Sequence, residues 1–221
     1  MIILIPINLI LIFTIIIGSS KNYYMSEFQR IKPEEELKID PKFIRYAAQV
    51  IPEFLIGKRD SLDIPGFKNF FNEKEKMHME DVKKLFKYAI YFVIFFSISI
   101  FLLIRKIDLP YIFLYSLIPI IILIFLVYFL SFDLSFTYFH KIFFKNDLWL
   151  LDPSKDRLIV LMPIEFFIRS FARIIYFSIF SLLILFTLFF ILEGSFERKS
   201  LWFSIVYGKT KKFIKAHSES I

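Results

Sequence analysis

Cysteine is absent from the 221 residues. That excludes disulfides, thiolate catalysis and cysteine-ligated metal, on whichever side of a membrane the loops lie. No GxSxG elbow occurs, and the polar segments offer few serines in a strained turn, so a Ser-His-Asp hydrolase is disfavoured. No HExxH or comparable ligand spacing occurs either, which leaves a zinc site of two His and an Asp a weak alternative. No metal and no other cofactor is expected. Histidine is scarce, with three in the chain. The net charge of +7 is not gathered into one patch, and membrane topology accounts for it better than nucleic-acid binding does. Neither an internal repeat nor a low-complexity linker is present.

What the chain has in abundance is apolar and aromatic residues. It is 57% hydrophobic and 20% aromatic, with a mean hydropathy of +0.62. Soluble domains stay near ~45–50% apolar, so this is membrane-protein composition. The 31 Phe accompany abundant Ile and Lys and are read as compositional bias, so no single phenylalanine is given a role. Four runs approach the ~20 residues that cross ~30 Å of hydrocarbon: 1–18, 88–104, 110–130 and 174–192. The first could be a cleaved signal peptide, given Gly18-Ser19-Ser20. It lacks a preceding Lys or Arg and exceeds a usual apolar region of ~7–15 residues, which favours a retained span. Lys87, Arg105 and Arg173 stand at span ends, placed to snorkel, and Pro119 predicts a kink in the third.

Lys and Arg then set the orientation. The short loop 105–109 holds Arg105 and Lys106, and the tail 193–221 carries Arg198, Lys199, Lys209, Lys211, Lys212 and Lys215. Segment 131–170 balances five bases with five acids. The positive-inside rule puts that loop, the tail and both termini in the cytoplasm. Segments 19–87 and 131–173 are then outside. The expected class is an all-α integral membrane protein with four transmembrane helices and a small extracytoplasmic domain built from 21–87 and 131–170. Within the first outer segment, Asp40-Pro41 reads as a helix start, with Phe43, Ile44, Ala47, Val50 and Ile51 on one face as far as Pro52. Residues 57–66 read as turns, and 67–71 as a short strand or an aromatic anchor. Asn72 and Glu75 form a candidate capping box for a helix that runs into the second span.

The organising stretch is 132–167, rich in Phe and Trp yet bearing His140, Asp147, Asp152, Asp156, Arg157 and Glu165. It reads as a structured segment against a membrane surface. Its partner is 72–84, which holds His78. His78 lies ten residues before Tyr88, and His140 ten after Leu130. On straight helices both rings stand about 15 Å beyond their spans, at equal height on consecutive antiparallel helices. Either histidine alone is an ordinary loop side chain. Together they are candidates for proton transfer, one ring taking a proton while the other gives one. His217 in the tail is a bystander. Asp81 shares a face with His78 and either fixes its tautomer or pairs with Lys83 or Lys84. Lys84, Trp149, Asp156, Arg157 and Glu165 are possible contacts to substrate or interface, with local ion pairing the plainer reading of the last three.

HMEDVKKLF before one span and FHKIFFKNDLWLLDPSKDRLIVLMPIEFF after the next resemble a bacterial integral membrane family that includes the lipoprotein intramolecular transacylases. The resemblance covers nearly the whole chain and is weakest over 21–71. It implies an enzyme at the outer face of the cell membrane. Its substrate would be a lipoprotein whose N-terminal cysteine carries a diacylglyceryl thioether, and the sn-2 acyl chain would move to that cysteine's own amine. It also implies that His78 and His140 are the catalytic groups. Ester and amine belong to one molecule, so positioning supplies a large effective molarity and only proton traffic is left to the protein. The glyceryl esters lie near the hydrocarbon boundary, however, well below rings raised on straight helices. Either Asp133 is buried and the third span ends later, or the helices tilt and break. The competing function is a non-enzymatic membrane protein whose outer domain binds a lipid or protein partner.

Overall fold

The computed structural model describes residues 1–103 and 109–218, and of 194–218 the backbone alone. Among the described residues the chain is helical, without a strand; an isolated bridge joins Ile64 and Phe67. Three stretches are long and apolar enough to cross a membrane: Glu73–Leu103, Leu109–Leu130 and Ile164–Glu193. A fourth arises if the bent pair Leu4–Gly18 and Lys21–Ile31 counts as one span. Most of the loop 105–109 and the basic side chains of the tail lie outside the described residues.

Helix α1 (Leu4–Gly18) and α2 (Lys21–Ile31) meet at 68°. The bend falls at Ser19-Ser20, where the Ser20 hydroxyl accepts from the Tyr23 N–H at 3.2 Å and caps α2. The 15 residues of α1 rise only about 22 Å, less than the ~30 Å of a bilayer core. Gly18 lets α1 approach α5 (Glu73–Leu103) closely, because a Cβ there would run into the Phe86 ring. Further along, Asn8 Nδ2 donates to Ser97 Oγ at 3.0 Å and pins the same two helices inside the apolar layer.

Helix α3 (Pro33–Leu37) is a single short turn, and α4 (Pro41–Leu55) starts as its sequence predicts. Asp40 accepts from the Lys42 N–H at 2.8 Å, with Pro41 at the first helical position. The helix does not stop at Pro52 but runs one turn further, so that Phe54 and Leu55 join Ile44, Ala47, Ala48 and Ile51 on the buried face. Residues 67–71 are the anchor rather than the strand. Phe70 and Phe71 are each 1% exposed, and burying such rings contributes about 1.5–3 kcal/mol apiece. They complete a core with Phe28, Ile51, Phe54 and Leu161.

The capping box at the start of α5 is reciprocal. Asn72 N–H donates to Glu75 Oε2 at 2.7 Å, and Glu75 N–H donates to Asn72 Oδ1 at 2.9 Å. Glu75 Oε1 also accepts from Leu158 N–H at 2.6 Å, which ties α9 (Arg157–Leu161) to α5. The third apolar stretch breaks into α6 (Leu109–Tyr115) and α7 (Leu117–Leu130). Pro119 has no N–H for the Tyr115 carbonyl and crowds it, so the discontinuity sits one turn before the proline. A second break follows at Ser131, whose φ of 62° ends α7 and whose hydroxyl caps α8 (Phe132–Phe143). Asp133 is exposed, so of the two alternatives for this region the helix break is the one realised. Helix α10 (Ile164–Ser218) is continuous. Its early turns take Phe132 and Phe136 of α8 against Phe171 and Phe167. Successive turns of α8 thus climb away from the apolar part of α10.

Candidate active site

Residues 72–84 and 132–150 come together, and His78 and His140 meet there. Each is 7% exposed, and their ring centroids lie 6.1 Å apart at 33°. No hydrogen bond joins them. Phe144 sits against both, at 5.2 Å from His78 and 5.4 Å from His140. Trp149 stacks on His140 at 5.0 Å, and Phe136 closes the other side at 4.2 Å. Aromatic faces therefore wrap the pair and keep bulk water away.

The two rings differ in their fixed contacts. His140 Nδ1 is 2.7 Å from the Phe136 carbonyl oxygen. A carbonyl only accepts, so Nδ1 carries the hydrogen and Nε2 holds the lone pair. Buried Nδ1 of His78 has no protein partner. Both rings are held below the ordinary imidazole value of 6.5. For His78 burial is the main cause, with His140 next, and together they lower it to about 4 despite the nearby Asp81 carboxylate. For His140 burial also dominates, partly opposed by the Phe136 carbonyl. Position near the C-terminus of α8 favours a charged ring, but the exclusion of water prevails.

Of the two roles weighed for Asp81, the pairing one is found. Its carboxylate accepts from Lys84 Nζ at 2.8 Å and from Asn146 Nδ2 at 3.0 Å, not from His78. The second contact matters for the site, because Asn146 belongs to the turn that presents Trp149. Lys74 helps by donating to the Leu150 carbonyl. Two groups on α5 thus hold the Trp149 loop over the His140 ring. Beside it opens a cavity of about 450 Å³, lined by Thr137, Lys141, Phe144, Lys145, Trp149 and Leu150.

The remaining candidates divide. Asp156, 4% exposed, accepts from Asn72 Nδ2 at 2.6 Å and from Asp152 N–H at 2.7 Å. Arg157 donates to the Phe70 carbonyl at 2.6 Å and lies over the Phe67 and Phe70 rings. They do not pair with each other; they fasten the 152–158 turn to the base of α5. Glu165 is exposed in the first turn of α10. Among the described residues no three His, Asp or Glu groups cluster to hold a metal.

Sequence reasoning missed a second charged centre. Glu27, 0% exposed, receives Arg169 Nε and lies 3.3 Å from Arg173 NH2. Tyr23 packs under Arg173, and its hydroxyl is 2.6 Å from Ser170 Oγ. Two arginines four apart on one helix face were the available signal, but nothing local names their partner 142 residues away. Glu75 was visible as a cap, and its reach to Leu158 was not.

Long apolar helices with a buried imidazole pair at one end define a helical integral membrane protein. The comparisons with known proteins are specific about which one. The chain belongs to the lipoprotein intramolecular transacylase (Lit) family, whose model matches residues 1–167. It is also similar to the solved structure of the membrane-integral transacylase Lit from Bacillus cereus, with a TM-score of 0.72 at 24% identity. That match covers 88% of this chain and 93% of the other. A variant of the same protein, with one histidine replaced by arginine, matches with a TM-score of 0.70 at 24% identity over 89% and 90% of the two chains. No curated protein matches. The chain is therefore an integral membrane protein of an acyltransferase family that modifies lipoproteins.

Proposed function

We propose that this chain moves the sn-2 acyl chain of a diacylglyceryl-cysteine lipoprotein onto the free α-amine of the same cysteine. The observation that carries this reading is the meeting of His78 and His140 in one dry, aromatic-lined site within a chain of this family. His140 is the base. Its Nδ1–H is committed to Phe136, which leaves Nε2 to take the proton as the amine nitrogen attacks the ester carbonyl carbon. His78 stays uncharged at neutral pH, and its ring N–H serves the oxygens that gain charge. The C–N bond forms, the bond from the carbonyl carbon to the sn-2 oxygen breaks, and that oxygen leaves with the proton that His140 took from the amine. His78 donates a hydrogen bond throughout without losing its proton, and both rings end neutral. No nucleophile from the protein is required.

Four crossings, the first of them made by 1–18, put both termini in the cytoplasm. The site then lies on the extracytoplasmic face, formed by 19–87 and 131–173. The test is expression in a host that makes diacylated lipoproteins, followed by mass spectrometry of N-terminal lipopeptides. Lipopeptide mass should stay constant while fragmentation shows one acyl chain moved from glyceryl to amide. His78→Ala and His140→Ala should each abolish the shift in protein that still inserts. Unchanged fragments with the wild type would favour the alternative of a membrane protein that binds a lipid or protein partner without chemistry.

A further inference from the structure

The cavity beside the histidine pair carries charges that the acyl transfer does not use. Thr137, Lys141 and Lys145 line it at intervals of four, along α8 and just past its end, and Asp147 on the following loop lines it too. Across the site, Lys84 is held by Asp81 at 2.8 Å. Lys141 and Lys145 are not held: among the described residues neither side chain makes an ion pair or a hydrogen bond, and nor does the Asp147 carboxylate. An unpaired surface lysine is ordinary by itself. Here two face one cavity, with a single positive charge in excess, next to reacting groups. The cavity shares two walls with those groups: Phe144, against both imidazoles, and Trp149, stacked on His140. Phe132 meets Phe171 and Phe136 meets Phe167, so α8 climbs antiparallel to α10, and Lys141 stands further from the apolar layer than Thr137.

We infer that this cavity receives the peptide that follows the lipidated cysteine, and that Lys141 and Lys145 make it prefer acidic side chains at the next few positions. This rests on the transacylase reading and adds to it what selects the client. The covalent structure of the substrate supplies the reach. Its α-amine and its first peptide carbonyl share one Cα. With the amine at His140 Nε2, the second to fourth residues therefore lie within about 11 Å of it, even along an extended chain. Lys141 is the next residue after His140, and Lys145 follows four residues later. The acyl chains stay in the apolar layer, so the peptide leaves in the direction in which α8 climbs, past Lys141. Of the substrate's parts only the peptide offers anionic groups, since the diacylglyceryl thioether is uncharged. Both lysines are exposed, so water and salt screen the pairing and the outcome is selection rather than an absolute requirement. Asp147 opposes the preference and keeps basic peptides admissible.

The test uses synthetic diacylglyceryl-cysteinyl peptides whose second to fourth residues are all acidic, all serine or all lysine. With the α-amine acetylated they cannot react, and their affinity for the full-length protein is read by displacement of a fluorescent analogue in neutral detergent. At low salt the acidic peptide should bind about tenfold more tightly than the lysine peptide, with the serine peptide between them. The gap should close in about 1 M salt. Lys141→Glu with Lys145→Glu should invert the order, which a loss of folding cannot do, whereas Lys141→Arg with Lys145→Arg should keep it. Asp147→Asn should widen the gap seen with the wild type. Equal affinities for the three peptides, no binding of any of them, or a charge order that the double Glu variant leaves unchanged would each overturn the inference. The same peptides with a free amine, scored for acyl transfer, keep the two readings apart. Charge-ordered binding without transfer would sink the reaction and leave the peptide cavity standing.

Discussion

Acidification should destabilise this protein through its buried rings, and the share of His78 can be isolated. His78 is neutral in the folded site, lowered from 6.5 to about 4 by burial and by His140. In the unfolded chain it regains the ordinary value and takes up a proton first as the pH falls. Above about pH 6.5 both states are neutral and His78 contributes no pH dependence. Between 6.5 and 4 the unfolded state binds more proton, so stability declines with falling pH. Below about 4 the loss is complete. At 1.36 kcal/mol per pKa unit the full loss is about 3 kcal/mol. For a chain of this length that corresponds to roughly 6–12 °C in melting temperature. The experiment is a thermal melt of wild type and His78→Gln in nanodiscs across pH 7.5 to 4. His140, whose ring is also held below its usual value, titrates in both proteins and cancels in the comparison to first order. The wild type should lose about 3 kcal/mol more than the variant. Superimposable pH profiles would refute the placement of His78 in a water-excluded site, and with it the neutral hydrogen-bond donor on which the mechanism draws.

Three further outcomes follow from contacts in the structure. Asp81→Asn removes charge from a carboxylate that serves Lys84 and Asn146 and not His78; exposed pairs of that kind contribute about 0.2–1 kcal/mol, so conversion should fall by less than about fivefold. A loss as complete as that of His140→Ala would instead make Asp81 part of the proton path. Glu27→Gln leaves Arg169 and Arg173 without their buried counter-charge and should cost about 3–5 kcal/mol in thermal or denaturant unfolding; a change under about 1 kcal/mol would show the cluster to be well hydrated. Gly18→Leu forces a side chain into the Phe86 ring and should cost about 1–3 kcal/mol, with unfolding in detergent as the measure; a neutral result would mean that α1 can shift away from α5 freely.

Local chemistry carried much of this structure. The Asn72–Glu75 box and the Asp40-Pro41 start are readable because a helix end must satisfy its own N–H groups with residues two or three positions away. The long apolar runs are readable because hydrocarbon admits few charges over ~20 residues. The pairing of His78 with His140 was an expectation from equal offsets along two helices, and the fold brings the rings within 6.1 Å. The offsets worked for a reason other than the straight helices that suggested them, since α7 and α8 part at Ser131.

What the sequence determined by itself was a membrane-class chain, the starts of its principal helices and the two histidines worth watching. All of these depend on composition or on spacing within a few turns. Tertiary structure alone decided which group each polar atom meets: Asp81 with Asn146, Glu75 with the Leu158 amide, Glu27 with arginines on α10. It also decided that Phe136 offers its carbonyl to His140 while His78 keeps a bare buried nitrogen. Those choices depend on how helices distant in sequence pack and on where water is excluded, and no short-range pattern encodes either.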